Sequence, residues 1–189
     1  MARILVIFST TDGHTRKVAR RLGTMFGTYG IDVDVMQAGA VDVAPEYYQG
    51  VVVCASVHRG KYQRSIAKWV RTHAQALSGQ RTAFVSVCLG VLQKDPKVDQ
   101  QLDTIAERFF AATGWQPTRV KKIAGALLYR EYGWIKRRIM KRICAKAGGD
   151  IDTSRNYEYT DWNDVQAFVD DFVRLVIPVR EPVKAAVSA

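Results

Sequence analysis

The chain has 189 residues, 48% of them hydrophobic, and a formal net charge of +10 at pH 7. That length and apolar content fit one domain with a sizeable core and disfavour two independent ones. No window approaches the roughly 20 apolar residues that a bilayer-crossing helix needs, and the excess of cations makes anionic surfaces and substrates natural partners.

In chain order, Arg3 to Phe8 reads as a buried strand, and residues 14 to 28 as a helix with Val18, Ala19, Leu22 and Phe26 on one face. A short strand is expected at 31–35, followed by a weakly patterned connection. Gly50 then leads into Val51-Val52-Val53-Cys54-Ala55, an unbroken apolar run suited to a strand covered on both faces. Residues 63–77 carry a helical stripe of Ile66, Trp69, Val70 and Leu77. Ala83 to Cys88 reads as another buried strand, 98–112 as a helix, 119–128 as a fifth strand and 162–176 as a closing helix. Five strands alternating with helices predict a parallel sheet with helices on both faces. The domain is expected to span 1–176, including an insertion at 129–160 too long for a structureless loop. Residues 177–189, with Pro178 and Pro182 and a run of small residues, are expected to form a flexible tail.

Cys54, Cys88 and Cys144 show neither metal-ligand spacing nor a disulfide framework, and three scattered histidines build no metal site. They read as reduced thiols in a cytosolic protein. The amino terminus lacks a signal-peptide pattern, so a soluble or peripheral protein is expected.

Directly after the first strand comes Ser9-Thr10-Thr11-Asp12-Gly13-His14-Thr15. Four hydroxyl residues in seven, with amides exposed where the helix begins, can surround a phosphate without a lysine. A plain helix cap is the simpler alternative. There is no GxGxxG after this strand and no GxxxxGK[ST] in the chain, which disfavours a dinucleotide fold or a nucleoside triphosphatase. The next strand ends supply Ser56-Val57-His58-Arg59-Gly60-Lys61-Tyr62 and Ser86-Val87-Cys88-Leu89-Gly90-Val91. These segments can wall a planar flavin, with Tyr62 as an aromatic surface and the glycines permitting close backbone approach. His58 either shapes that loop or moves protons. Arg59 and Lys61 either attract substrate carboxylates or are solvated charge.

Residues 130–146 hold seven basic side chains against one acid, Glu131. At helical spacing, Ile135, Ile139, Met140 and Ile143 share one side, while Lys136, Arg137, Arg138, Lys141 and Arg142 cover much of the rest. With Trp134 and Tyr132 near headgroups, such a helix suits an anionic membrane interface or a hydrophobic substrate. Ordinary packing and nucleic-acid binding give similar patterns, but no nucleic-acid module accompanies this one.

Taken together, these segments resemble the flavodoxin-like family of quinone-dependent protoporphyrinogen IX dehydrogenases, over about residues 3–176. The resemblance is carried by Phe8 through Thr15, by Ala55 through Tyr62, by Ile123-Ala124-Gly125-Ala126-Leu127-Leu128-Tyr129, and by Gly148-Gly149-Asp150-Ile151-Asp152-Thr153 followed by Tyr159-Thr160-Asp161-Trp162. It implies an FMN-binding doubly wound sheet of order 2-1-3-4-5. It also implies oxidation of protoporphyrinogen IX to protoporphyrin IX by six electrons, for haem synthesis, with menaquinone or ubiquinone as acceptor at the cytoplasmic face of the inner membrane. By the same resemblance Ser9, Thr11, Gly13, His14 and Thr15 surround the phosphate, and the two later segments approach the ring or ribityl chain. Asp12 departs from the glycine or hydroxyl residue common in small flavodoxins, so its carboxylate is expected to cap the helix or turn away. Competing readings are an electron-carrier flavodoxin, an NAD(P)H-dependent quinone reductase and a basic interaction module without flavin.

Overall fold

A computed structural model describes residues 2–40, 42–146 and 149–177, apart from the side chains of Lys136, Ile143 and Lys146. The expected tail from Pro178 onward and Gly148 of the glycine motif lie outside the described residues.

Five strands form one parallel sheet: β1 (Arg3–Phe8), β2 (Asp32–Gln37), β3 (Gly50–Ser56), β4 (Arg81–Val87) and β5 (Arg119–Ile123), in the order β2-β1-β3-β4-β5. The side-chain period of two sorts the central strands onto two faces. Ile4, Val6, Phe8, Val52, Cys54 and Val85 face one way, against α1 (His14–Gly27) and α6 (Trp162–Val176). Leu5, Ile7, Val51, Val53, Ala55 and Phe84 face the other, against α2 (Arg64–Thr72), α3 (Ala74–Ser78) and α4 (Pro96–Thr113). Both faces are therefore covered, which is why β3 reads as an unbroken apolar run and is buried throughout. Gly50 is required where β3 passes under α6, since a Cβ there would come within 2.7 Å of Val176 and 3.2 Å of Phe172.

Several boundaries differ from expectation for local reasons. The single helix anticipated at 63–77 is two, α2 and α3, broken at His73, whose ring packs 4.9 Å from Trp69 and bonds Asp42 at 3.1 Å. The strand anticipated at 31–35 occupies 32–37. Helix α4 begins earlier, at Pro96, because Asp95 caps it by accepting from the Lys97 amide.

The run anticipated as one strand at 119–128 leaves the sheet after Ile123. Ala126–Leu127 (β6) then pairs antiparallel with Tyr157–Glu158 (β7) in a separate ribbon. Downstream groups hold this break open: the Thr160 hydroxyl donates to the Ala124 carbonyl at 2.9 Å and the Tyr159 amide to the Gly125 carbonyl at 3.2 Å. The basic helix of the insertion is α5 (Trp134–Lys146). It rests on a small core of its own, in which Leu127, Tyr129, Tyr132 and Cys144 are buried beside Met140 and Tyr159.

Candidate functional site

Strand register places Phe8 opposite Cys54 and Ser56 opposite Val87. The loops leaving β1, β3 and β4 therefore emerge at one end of the sheet. After β1 the chain moves outward to β2 and then returns across β1 to β3. That reversal opens a crevice at the carboxyl ends of the strands. A cavity of about 970 Å³ lies there, at the upper end of the roughly 300–1,000 Å³ usual for ligand sites.

One end of the cavity is polar, lined by Thr10, Thr11, Asp12, His14, Thr15 and Ser56. Gly13 is the N-cap of α1 with φ 89° and, having no side chain, cannot itself cap the helix. Asp12, expected either to cap the helix or to turn away from the phosphate, lines the cavity at this end. The Thr10 hydroxyl accepts the Gly13 amide at 2.9 Å and tightens the turn. The amides of His14 and Thr15 precede the first intrahelical bond, from Lys17 to Gly13, so they have no partner within the helix.

His14 bonds Thr160 through Nε2 at 2.9 Å. The Thr160 proton is already given to the Ala124 carbonyl, so Nε2 must carry the hydrogen. Burial lowers the His14 pKa below its ordinary value; Glu158 opposes that shift and Lys17 reinforces it. Neutral His14 thus pins the phosphate-type turn to the segment leading into α6.

The rest of the lining is mostly apolar. Val57, His58, Arg59, Leu89 and Gly90 form the strand-tip side. His58, Arg59, Gly60 and Lys61 close a tight hairpin, with His58 and Lys61 exchanging backbone bonds at 2.8 and 3.1 Å. Positive φ at Arg59 (50°) and Gly60 (72°) identifies a type I′ turn. Tyr132, Trp134, Ile135, Ile139 and Met140 form the opposite wall.

Several expected contacts are placed elsewhere. Tyr62 does not wall the cavity: its ring packs edge-on against Phe84 and Phe109, and its hydroxyl pairs with Ser86 at 2.8 Å. Burial pushes the Tyr62 hydroxyl up to about 12. Ser86 is consequently interior as well. Ser9 is buried and bonds Ser65 at the start of α2. Val91 borders a smaller cleft beside α4, and Lys61 is exposed outside the cavity lining. Cys88 does line the cavity, with its Sγ accepting the Gly90 amide and burial raising its pKa.

The insertion also departs from a simple lipid-facing helix. Tyr132, expected near headgroups, is only 6% exposed. Arg137 spends its guanidinium on the carbonyls of Tyr129 (2.9 Å) and Tyr132 (3.1 Å), bracing a turn in which the Tyr132 amide also donates to the Tyr129 carbonyl at 3.3 Å. Arg138, Lys141 and Arg142 remain at the surface. Trp134, Ile135 and Ile139 are 72%, 56% and 50% exposed, so this face combines a cavity wall with open apolar surface. The Lys136 side chain lies outside the described residues. No helix among the described residues is long and apolar enough to cross a membrane.

Comparison with known proteins sets this geometry in a lineage. The flavodoxin domain family matches residues 5–154. Protoporphyrinogen IX dehydrogenase [quinone] of Escherichia coli K12 is 36% identical over 174 residues, covering 92% of this chain and 96% of that one. The chain belongs to this dehydrogenase family. A member from Leishmania major, bearing the same name, is 30% identical over 97% of this chain and 80% of that one. Among solved structures, a short-chain flavodoxin associated with a bacterial microcompartment superposes with a TM-score of 0.59 over 94% of this chain and all of that one, at 15% identity, a likeness of fold.

In this member of the dehydrogenase family the residues present suit FMN. The hydroxyl and amide donors at the β1–α1 turn fit a phosphate monoester, and the apolar strand tips fit a flat ring. Two side chains of consequence escape a reading by local pattern. Thr160 reaches the turn from 146 positions away. Gln63, one residue before α2, bonds Ser56 and Thr11 instead of capping its own helix. The only local signal at Gln63 is a poor capping residue standing where a helix begins.

Proposed function

We propose that this protein oxidises protoporphyrinogen IX to protoporphyrin IX, removing six electrons in three two-electron rounds with FMN as cofactor and menaquinone or ubiquinone as acceptor. The observation that carries the reading is the cavity itself: a hydroxyl cradle at one end is joined to an apolar wall supplied by α5. The kinship with the E. coli dehydrogenase, which covers 92% of this chain, supports the choice of substrate. FMN, when bound, takes up the electron pairs from substrate and delivers them to quinone.

The chain's own groups hold and orient. Thr10, Thr11 and the α1 amides receive the phosphate; Val57 and Leu89 line the ring region. Trp134, Ile135 and Ile139 offer apolar contact to a macrocycle or a quinone, and Arg59 stands on the cavity edge where a propionate can pair with it. Protons leave to solvent or by way of His58. The exposed Arg138, Lys141 and Arg142 beside the apolar residues suit peripheral contact with an anionic inner-membrane surface at its cytoplasmic face.

The test is anaerobic: flavin-loaded protein is mixed with protoporphyrinogen IX and a quinone, and porphyrin absorbance is followed against a protein-free control. Quinone-dependent porphyrin formation is expected. Rates equal to spontaneous oxidation, with FMN demonstrably bound, would reject the substrate assignment and favour a carrier or reductase.

A further inference from the structure

Gln63 sits between the two halves of the polar end of the cavity, and its hydrogen bonds form a closed logic. Its Oε1 accepts the backbone amide of Ser56 at 3.3 Å, which fixes the orientation of the carboxamide. The other end is therefore the amino group, and Nε2 donates both to Ser56 Oγ at 2.6 Å and to Thr11 Oγ1 at 3.2 Å. A carboxamide nitrogen has two hydrogens and accepts nothing. The Ser56 and Thr11 hydroxyls must both accept from it, which frees their own protons for the cavity that both side chains line. Thr10, also on the cavity, is set the same way, since its hydroxyl accepts the Gly13 amide.

We infer that Gln63 is a positioning residue that sets the hydrogen-bond polarity of the cradle, turning Thr11 and Ser56 into donors toward the phosphomonoester of the cofactor. The inference rests on the FMN reading and deepens it. A phosphate dianion offers only acceptors, so a cradle whose hydroxyls are already committed as acceptors meets it without reorganisation. The same device explains recognition of an anion where, among the described residues, no lysine or arginine lines that end of the cavity. It also explains why the residue before α2 leaves its own helix without a side-chain cap.

The experiment measures FMN and riboflavin affinities of apoprotein by flavin fluorescence for wild type, Q63L and Q63E, with circular dichroism to confirm folding. Q63L removes both donors without adding charge, and FMN affinity is expected to fall about tenfold, as for loss of a charge-assisted hydrogen bond. Riboflavin, which lacks the phosphate, should lose far less. Q63E reverses the polarity, because a carboxylate draws both hydroxyl protons to itself; its FMN deficit relative to wild type should be larger and should shrink as the introduced carboxyl is protonated at lower pH.

Equal losses for FMN and riboflavin in Q63L would reduce Gln63 to a brace and overturn the inference alone, as would an unchanged FMN affinity. If one variant fails to fold, the other still decides. If neither folds, T11V and S56A decide: the inference requires each to lower FMN affinity more than riboflavin affinity, and equal effects overturn it. Wild-type protein that takes up neither flavin would overturn the cofactor reading itself, and this inference with it.

Discussion

Arg59 holds a left-handed backbone, φ 50°, at the first central position of the type I′ turn. A residue with a Cβ pays about 1–2 kcal/mol for that conformation, whereas glycine pays about 0.5–1 kcal/mol in extra unfolded-state freedom. The first effect is the larger, so R59G should raise stability by up to about 1.5 kcal/mol, read as a higher urea midpoint. If Arg59 also pairs with a propionate, the same variant should show a raised KM for porphyrinogen, separating a turn residue kept for its charge from one kept for its fold. His14 sets a second residue-scale expectation. It is buried, and its pKa is lowered from an ordinary value near 6.5. Below that pH the unfolded chain binds a proton that the folded one resists, so stability falls as pH falls and is recovered as pH rises past about 6.5. H14Q retains a donor for Thr160 without titrating, and its urea midpoint should decline less than that of wild type between pH 7 and pH 5.

Among the elements, α5 was the most legible and its individual arginines the least. Apolar spacing at 135, 139 and 140 announces an amphipathic helix, and the helix forms over Trp134–Lys146. The same spacing treats Arg137 and Arg138 alike, yet Arg137 is locked onto two carbonyls while Arg138 is exposed. Only the turn at Tyr129–Tyr132 distinguishes them, and nothing near Arg137 in the sequence reveals it. Likewise the central strands were readable from their unbroken apolar runs, but the exit of the chain at Ala124 depends on Tyr159 and Thr160, over 30 positions downstream. Tyr62 misleads for a related reason. An aromatic residue at a strand-tip loop suits a flavin wall, whereas here Phe84 and Phe109 offer its ring a better-packed place in the interior. Removing the Arg137 clamp tests the element directly. R137M leaves the Tyr129 and Tyr132 carbonyls without this donor, at a cost of about 1–3 kcal/mol. Hydrogen exchange should quicken across 126–160 while β1, β3 and β4 keep their protection, because the small core under α5 is separate from the two that flank the sheet.

At the scale of the whole molecule, the +10 net charge is unevenly spread, with seven basic residues and one acidic one between 130 and 146. Withdrawal of Arg137 into a structural role leaves Arg138, Lys141 and Arg142 as exposed cations on the helix that also exposes Trp134, Ile135 and Ile139. Apolar residues alone would favour any lipid surface, and cations alone any polyanion. Their combination on one helix is what the proposed anionic interface requires, where each cation near the surface would add about 1 kcal/mol. Reversing three of them in R138E/K141E/R142E should therefore weaken binding to phosphatidylglycerol-containing vesicles by at least about a hundredfold. Binding of wild type should also weaken as salt shortens the screening length from about 10 Å at 0.1 M towards 3 Å at 1 M. The three side chains are outside the cavity lining, so FMN affinity should hold. Quinone-dependent turnover should drop with membrane-embedded quinone while surviving with a short-chain soluble analogue. Undiminished vesicle binding by the triple variant would mean that the basic face is ordinary solvated surface and that α5 serves only as the wall of the cavity.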